Sequence, residues 1–250
     1  MIIIKTNDEI EKMRRAGKKL ARLLDGFLPE ILREGIDGET VEKFVLDYCE
    51  KENVIPTFMG YQGYKYAINF SINEEVVHGL PLKSKILKNG DIVSIDCGLT
   101  NEGYIADAAR TYIIGIVSEK EKELVDATRE SLDLGIEKAI IGNTIGDISC
   151  TIQNYIESKG FSVIREYVGH GVGRKLHEDP QIPNYGKPGR GPKIRKNMTL
   201  AIEPMVAMGD YEVEILSDGW TAITKDKSKA AHFEHTIAIT EDGPEILTQL

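Results

Sequence analysis

Four acidic residues stand within or at the ends of apolar runs, which is not where solvated carboxylates are usually found. Asp96 follows Ile92-Val93-Ser94-Ile95, and Asp107 lies in a second β-like run beyond Asn101-Glu102-Gly103. That tripeptide is turn chemistry, so the two runs read as a hairpin. With the turn centred between Asn101 and Glu102, the two aspartates sit directly opposite each other, their Cβ atoms about 4.5–5.5 Å apart. A bulge at Gly103 would move this register by one. Val93, Ile95, Ala106 and Ala108 read as core packing, so both carboxylates are expected to be buried. Opposed buried carboxylates repel and lose hydration, and the remedy is a shared proton or a cation. Glu203 ends the strand-like Thr199-Leu200-Ala201-Ile202 before Pro204, and Glu234 begins another apolar run. An acid in such a place needs a partner. His170 stands between glycines in Val168-Gly169-His170-Gly171-Val172-Gly173, where glycine permits unusual φ or close backbone approach to a ligand. Asp96, Asp107, His170, Glu203 and Glu234 together supply the ligand types of two divalent cations, Mn, Fe, Co or Zn. Carboxylates can bridge, so two cations can lie about 3.5–4 Å apart and acidify a water into a nucleophile.

Of the other histidines, His78 in Val76-Val77-His78-Gly79 and His177 in Leu176-His177-Glu178-Asp179-Pro180 stand in glycine- or acid-rich loops. His232 and His235 flank Phe233-Glu234. A lone histidine is more often packed or solvated than functional, but this clustering favours chemistry. Thiolate chemistry is not favoured. Cys49, Cys97 and Cys150 form no CxxC pair, and their odd number argues against a disulfide framework.

Helices and strands must bring these residues together. Thr6 to Glu9 is a capping box, with Ile10, Met13, Gly17, Leu20, Leu24 and Phe27 following at helical spacing. Pro29 predicts a kink or break near the end of that pattern. Thr40 is expected to open a second helix. Ser118 to Glu121 is another capping box, predicting a helix to about Ile141. A fourth helix carries Ile145, Ile148, Ile152 and Tyr155, with Gly160 as its stop. Strands are predicted over 91–99, 104–116, 198–208, 211–216 and 233–240. The order is helix, helix, strands, repeated once. An offset of 107 residues pairs Gly35 with Gly142, Tyr48 with Tyr155, and Ile95-Asp96 with Ile202-Glu203. The chain therefore reads as one domain, 1–250, with an internal pseudo-repeat of about 1–116 and 117–250. Four helices and clustered strands are too few alternating units for a (β/α)₈ barrel. The stretch 185–192 reads as a surface loop.

The chain has 250 residues, 41% hydrophobic and 28% charged, values of a globular protein. No apolar run approaches the roughly 20 residues of a membrane helix, and Met1-Ile2-Ile3-Ile4-Lys5 is too short for a signal-peptide core. A cytoplasmic location, no membrane partner and a monomer are the expectations. The net charge of −9 argues against a general nucleic-acid coat. Basic residues nevertheless cluster at Lys187, Arg190, Lys193, Arg195 and Lys196, and again over 225–229. A charge run is usually a solvated face; the sharper reading is a dock near the ribosomal exit tunnel.

The motifs taken together resemble type I methionine aminopeptidases of the bacterial kind. The matching stretches are Ser71 to Gly79, Gly90 to Asp96, Gly103 to Asp107, Tyr167 to Gly173, Met198 to Pro204 and Phe233 to Thr236, in family order over nearly the whole chain. The resemblance implies the pita-bread fold, an α+β architecture with two pseudo-symmetric halves and a central antiparallel sheet covered by helices. It implies metal-dependent removal of the initiator methionine from nascent chains when the second residue is small. It implies that Asp96 serves one cation, His170 and Glu203 the other, and Asp107 and Glu234 both. His78, His177 and Glu203 would be catalytic, with Phe58, Tyr61, Tyr64, Asn69, Leu176 and Trp220 walling the methionine pocket. Phe58 and Asn69 depart from the cysteines common in the family, and Leu176 from an aromatic. The chain itself begins Met1-Ile2, and a bulky second residue would leave its own methionine in place. The nearest alternative is a proline-directed peptidase of the same architecture; a relative that has lost its ligands is disfavoured because all five are present.

Overall fold

The computed structural model describes residues 1–250. Both capping boxes form. Thr6 Oγ1 accepts from the Glu9 amide while Glu9 accepts from the Thr6 amide, and Ser118 and Glu121 do the same, opening helices Asn7–Ala21 and Glu119–Glu137. The first helix does not break at Pro29. It passes through a π-helical stretch, Arg22–Phe27, and ends in the turn Leu28–Ile31. The Leu28 amide reaches back to the Leu23 carbonyl, so the hydrogen-bond ladder has already shifted where proline has no N–H to give. The second helix, Gly38–Glu52, starts earlier than expected. Asp37 is its cap, accepting from the Thr40 amide at 2.9 Å, which places Thr40 inside the first turn. The third helix stops at Glu137, short of the exposed Ile140 and Ile141. The fourth, Ile145–Ser158, ends just before Gly160, which has φ +77°.

The strands form four antiparallel ladders. The long hairpin Ile92–Asn101 and Tyr104–Ile113 turns through Glu102 and Gly103, both at positive φ (52° and 77°), as a two-residue primed turn requires. The turn centre is therefore one residue later than expected, and the register moves by two: Asp96 pairs with Ala109, and Asp107 with Gly98. The two aspartates are diagonal rather than opposed. A two-residue shift preserves the face, so both still point the same way. Diagonal neighbours stand about 7–8 Å apart, which leaves room for an ion between them.

The expected strand 198–208 is two strands. Thr199–Ile202 pairs with His235–Thr240 in a five-stranded ladder, and Met205–Ala207 pairs with Ala230–His232 in a three-stranded one. Both segments cross from one ladder to the other at the same corner, occupied by Glu203-Pro204 and Phe233-Glu234. Proline cannot donate to a ladder, so the strand ends there. Glu234 consequently precedes its strand instead of starting it. Gly169–Gly171, not among the expected strands, is an interior strand of the five-stranded ladder. Its glycines are required by close approach: a Cβ on Gly169 would collide with the Ala201 carbonyl, and one on Gly171 with the Asp179 carbonyl.

Two apolar cores result. One is built wholly from residues 16–114, and the other, apart from Ile92, from residues 124–239. A third, smaller cluster mixes Ile10, Met13, Phe58, Tyr64 and Tyr104 with Val172, Leu176 and Leu247. Side chains stitch the hairpin to the corner. Thr236 Oγ1 accepts from the Asp107 amide (2.9 Å) and donates to its carbonyl (2.8 Å), and the Glu234 amide donates to the Ala109 carbonyl (3.0 Å).

Candidate metal centre

That stitching brings the hairpin's two carboxylates against the corner's two. All thirteen residues singled out from sequence line one cavity of about 230 Å³: Asp96, Asp107, His170, Glu203, Glu234, His78, His177, Phe58, Tyr61, Tyr64, Asn69, Leu176 and Trp220. Gln62, Val77, Tyr167 and Val168 line it too and were not anticipated. The volume is below the roughly 300–1,000 Å³ of sites built for larger ligands, and suits a single side chain with the groups beside it.

One ligand atom each from Asp107, His170 and Glu234 lies within 4.8 Å of the others. His170 Nε2 is 3.8 Å from Asp107 Oδ2 and 3.5 Å from Glu203 Oε1. Its Nδ1 lies 2.9 Å from the Gly171 carbonyl. A carbonyl only accepts, so Nδ1 carries the hydrogen and Nε2 presents its lone pair to the carboxylates. Asp96 has one internal partner, the Asn69 side-chain amide, which donates to Oδ2 at 2.7 Å from the facing strand position. Asn69 therefore does more than wall the pocket. Asp96 Oδ1, Asp107 Oδ1 and Glu234 Oε1 are buried with no hydrogen-bond partner. Native proteins rarely leave buried acceptors so, and several convergent carboxylate oxygens with a neutral imidazole fit a divalent cation.

The electrostatics agree. Burial, opposed by the Asn69 hydrogen bond, pushes Asp96 up to about 7. Burial, then the charge of Asp96, raises Asp107 well above the usual carboxylate range. Glu203 and Glu234 are raised for the same reasons, burial first and neighbouring carboxylates second. Burial lowers His170 to about 3, with His177 contributing. Without cations burial and mutual repulsion favour the protonated forms; cations would replace those protons.

The two catalytic candidates outside this cluster face the same cavity. His78 adopts φ +60°, a left-handed conformation uncommon for a non-glycine residue, and its ring packs edge-on to Tyr167 with centroids 5.3 Å apart. Burial lowers it to about 4. His177 Nδ1 lies 2.7 Å from the Tyr61 hydroxyl, and burial holds the ring below its ordinary value. Tyr61, expected only as pocket wall, thus occupies one ring nitrogen and leaves Nε2 for a ligand. Tyr64 is held by the Ile68 carbonyl and packs against Trp220, centroids 5.0 Å apart. His235 lies outside the cavity lining, with Nδ1 2.8 Å from Thr248 Oγ1.

The family model of metallopeptidase family M24 matches residues 11–241. The chain belongs to metallopeptidase family M24. Among members of that family it is 51% identical to the methionine aminopeptidase of Clostridium acetobutylicum, over 99% of each chain. It is 48% identical to methionine aminopeptidase 1 of Bacillus subtilis, over 100% of each. The crystal structure of methionine aminopeptidase from Thermotoga maritima superposes with a TM-score of 0.98 at 57% identity, covering 100% of both chains. The pita-bread fold of the M24 methionine aminopeptidases is therefore the fold of this chain. As an M24 metallopeptidase it uses divalent metal, and the unpartnered carboxylate oxygens are where that metal fits.

Proposed function

We propose that the chain removes N-terminal methionine from peptides and nascent proteins whose second residue is small, using two divalent cations. The observation that carries this is the continuity of one cavity. An apolar end of Phe58, Tyr64, Leu176 and Trp220 opens directly onto the carboxylate cluster. An unbranched thioether side chain suits the first part, and hydrolytic chemistry the second.

Asp96 would serve one cation, His170 and Glu203 the second, and Asp107 and Glu234 both. The bound cations, Co, Mn, Fe or Zn, would acidify a water and polarise the scissile carbonyl. The substrate's free amine would lie toward Asp96, so an internal peptide bond has nothing to offer there. Glu203 takes the proton from the attacking water and passes it to the leaving amide nitrogen. His177, its Nδ1 occupied by Tyr61, donates from Nε2 to the carbonyl oxygen as charge develops. His78 contacts the nitrogen of the bond being cut. We read 1–250 as one catalytic domain, with 1–116 and 117–250 as duplicated pieces that contribute Asp96 and Glu203 at equivalent positions.

The deciding experiment compares Met-Ala-Ser with X-Pro peptides after chelation and re-addition of each metal. Methionine release restored by metal supports the reading; cleavage of X-Pro alone overturns it.

No helix is long and apolar enough to cross a membrane. We place the enzyme in the cytoplasm as a monomer, docking at the ribosomal exit through the loop 187–196. Lys187, Arg190, Lys193 and Arg195 are exposed there without ion-pair partners, whereas Lys225, Lys227 and Lys229 pair with Glu212, Glu214 and Glu121. Charge reversal at Lys193, Arg195 and Lys196 should weaken co-sedimentation with ribosomes; unchanged sedimentation removes the dock.

A further inference from the structure

Two buried polar atoms are left over when the carboxylate oxygens are assigned to cations, Asn184 Oδ1 and His232 Nε2, and the second faces a carboxylate of the centre. His232 ends the strand Ala230–His232, and its side chain is 1% exposed. Its backbone is held twice by one hydroxyl: the N–H donates to Thr111 Oγ1 at 2.9 Å, and the carbonyl accepts from it at 2.8 Å. The ring therefore has a firm base. Its Nε2 is buried with no hydrogen-bond partner. Glu203 Oε2 lies 3.8 Å away, too far for a hydrogen bond.

Glu203 itself sits between two imidazoles. Oε1 faces His170 Nε2 at 3.5 Å, and Oε2 faces His232 Nε2. Its backbone carbonyl accepts from the Asn184 side chain at 3.0 Å, so the main chain is anchored and the carboxylate is the part free to swing. The two rings are not equivalent. The hydrogen of His170 is on Nδ1, committed to the Gly171 carbonyl, so its Nε2 offers a lone pair. A buried ring nitrogen without a partner calls for an explanation. Hydrogen bonds of active sites are commonly long in ligand-free structures and tighten when the site is loaded.

We propose that His232 is a positioning residue for Glu203: its Nε2–H donates to Oε2, holding the carboxylate so that Oε1 faces the reacting groups. The inference rests on the reading of Glu203 as ligand and proton carrier. It adds a group outside the metal ligands that sets the geometry of the proton transfer.

Three variants of the metal-loaded enzyme test it: His232→Leu, His232→Gln and Glu203→Gln. Leucine removes the donor, while glutamine keeps an N–H at similar reach. His232→Leu should lose about 10–100-fold in kcat and about tenfold in calorimetric Mn affinity, as partners of metal ligands generally do. Its KM should stay within about threefold of the parent's. His232→Gln should regain most of both losses. In the zinc-loaded parent, ¹⁵N NMR with labelled histidine should show the hydrogen of His232 on Nε2, a readout that no folding defect can mimic. The proposal is overturned if His232→Leu matches the parent, if His232→Gln is as impaired as His232→Leu, or if Nε2 carries no hydrogen. Glu203→Gln separates the two levels. An inactive Glu203→Gln beside an unimpaired His232→Leu rejects only the role of His232. A fully active Glu203→Gln rejects the reading of the site.

Discussion

Buried carboxylates occur in the metal cluster and at scattered places elsewhere in this protein, and the two sets differ in company rather than in depth. Glu42, buried on the second helix, accepts from the Ala67 and Ile68 amides at 2.7 and 3.2 Å. Glu178 is buried against the Lys5 ammonium. Glu75 pairs with Lys85 at 2.7 Å and accepts from the Ile72 amide. Each has its charge answered from within the chain. The cluster of Asp96, Asp107, Glu203 and Glu234 has for internal donors little more than the Asn69 amide, and three of its oxygens have no partner. Burial alone therefore does not separate a structural acid from a functional one. What separates them is whether the protein supplies the counter-charge or leaves it to a cation.

The comparison breaks most sharply if the cluster tolerates neutral replacements. Asp107→Asn and Glu203→Gln should each lower kcat/KM by about 10²–10⁴, with metal lost in the first case, measured by peptide hydrolysis and metal analysis. His177→Ala and His78→Ala come next. They should cost about 10²–10³ in rate while the metal content stays at the parent level. A loss of metal in either would mean that these rings belong to the cluster instead of facing it.

The pH dependence of stability sharpens the contrast further. In the metal-free protein, Asp96 is raised from 3.8 to about 7, and the other three carboxylates are also raised. At these four positions the folded state binds more protons than the unfolded one. The stabilisation is full below the ordinary carboxylate range and is lost as pH rises toward the raised values. The buried histidines, His78 lowered to about 4 and His170, His232 and His235 to about 3, act in the opposite sense and gain stability as pH rises toward the ordinary imidazole value. The carboxylates are therefore isolated by metal: added Mn or Zn should raise the melting temperature more at pH 7.5 than at pH 4.5, where it competes with their protons. Equal stabilisation at both pH values would show that the cluster is not protonated as its burial dictates. The smallest effect belongs to the other class of acid. Glu42→Gln should cost about 1–3 kcal/mol by denaturant titration, because one of two buried amides loses its acceptor, with turnover little changed.

Much of the site was legible in the chain because its signals are local. An acid at the end of an apolar strand, a histidine between glycines and a capping box are each read over a few residues. The five ligand candidates, both capping boxes and the hairpin are legible in this way. Where the structure departs from the sequence expectation, the deciding partner is distant in sequence or the backbone detail is fine. The turn centre depended on Glu102 as well as Gly103 taking a left-handed conformation, which a residue list does not reveal. The single strand 198–208 was a reasonable expectation until Pro204 is seen at the corner between two ladders. Asn69 with Asp96, Tyr61 with His177 and His232 beside Glu203 are separated by 27, 116 and 29 residues, and no local pattern announces them.

The amino-acid sequence alone determined which groups this protein possesses, where the helices capped by Thr6 and Ser118 begin and which stretches of strand are apolar, because these follow from neighbours a few positions apart. Tertiary structure alone decided that Asp96 and Asp107 are diagonal, that Glu203 and Glu234 leave their ladders at one corner, and that the carboxylate oxygens meet without protein partners. Those outcomes come from strand register and from packing two cores against each other, and both are settled by contacts between segments far apart along the chain.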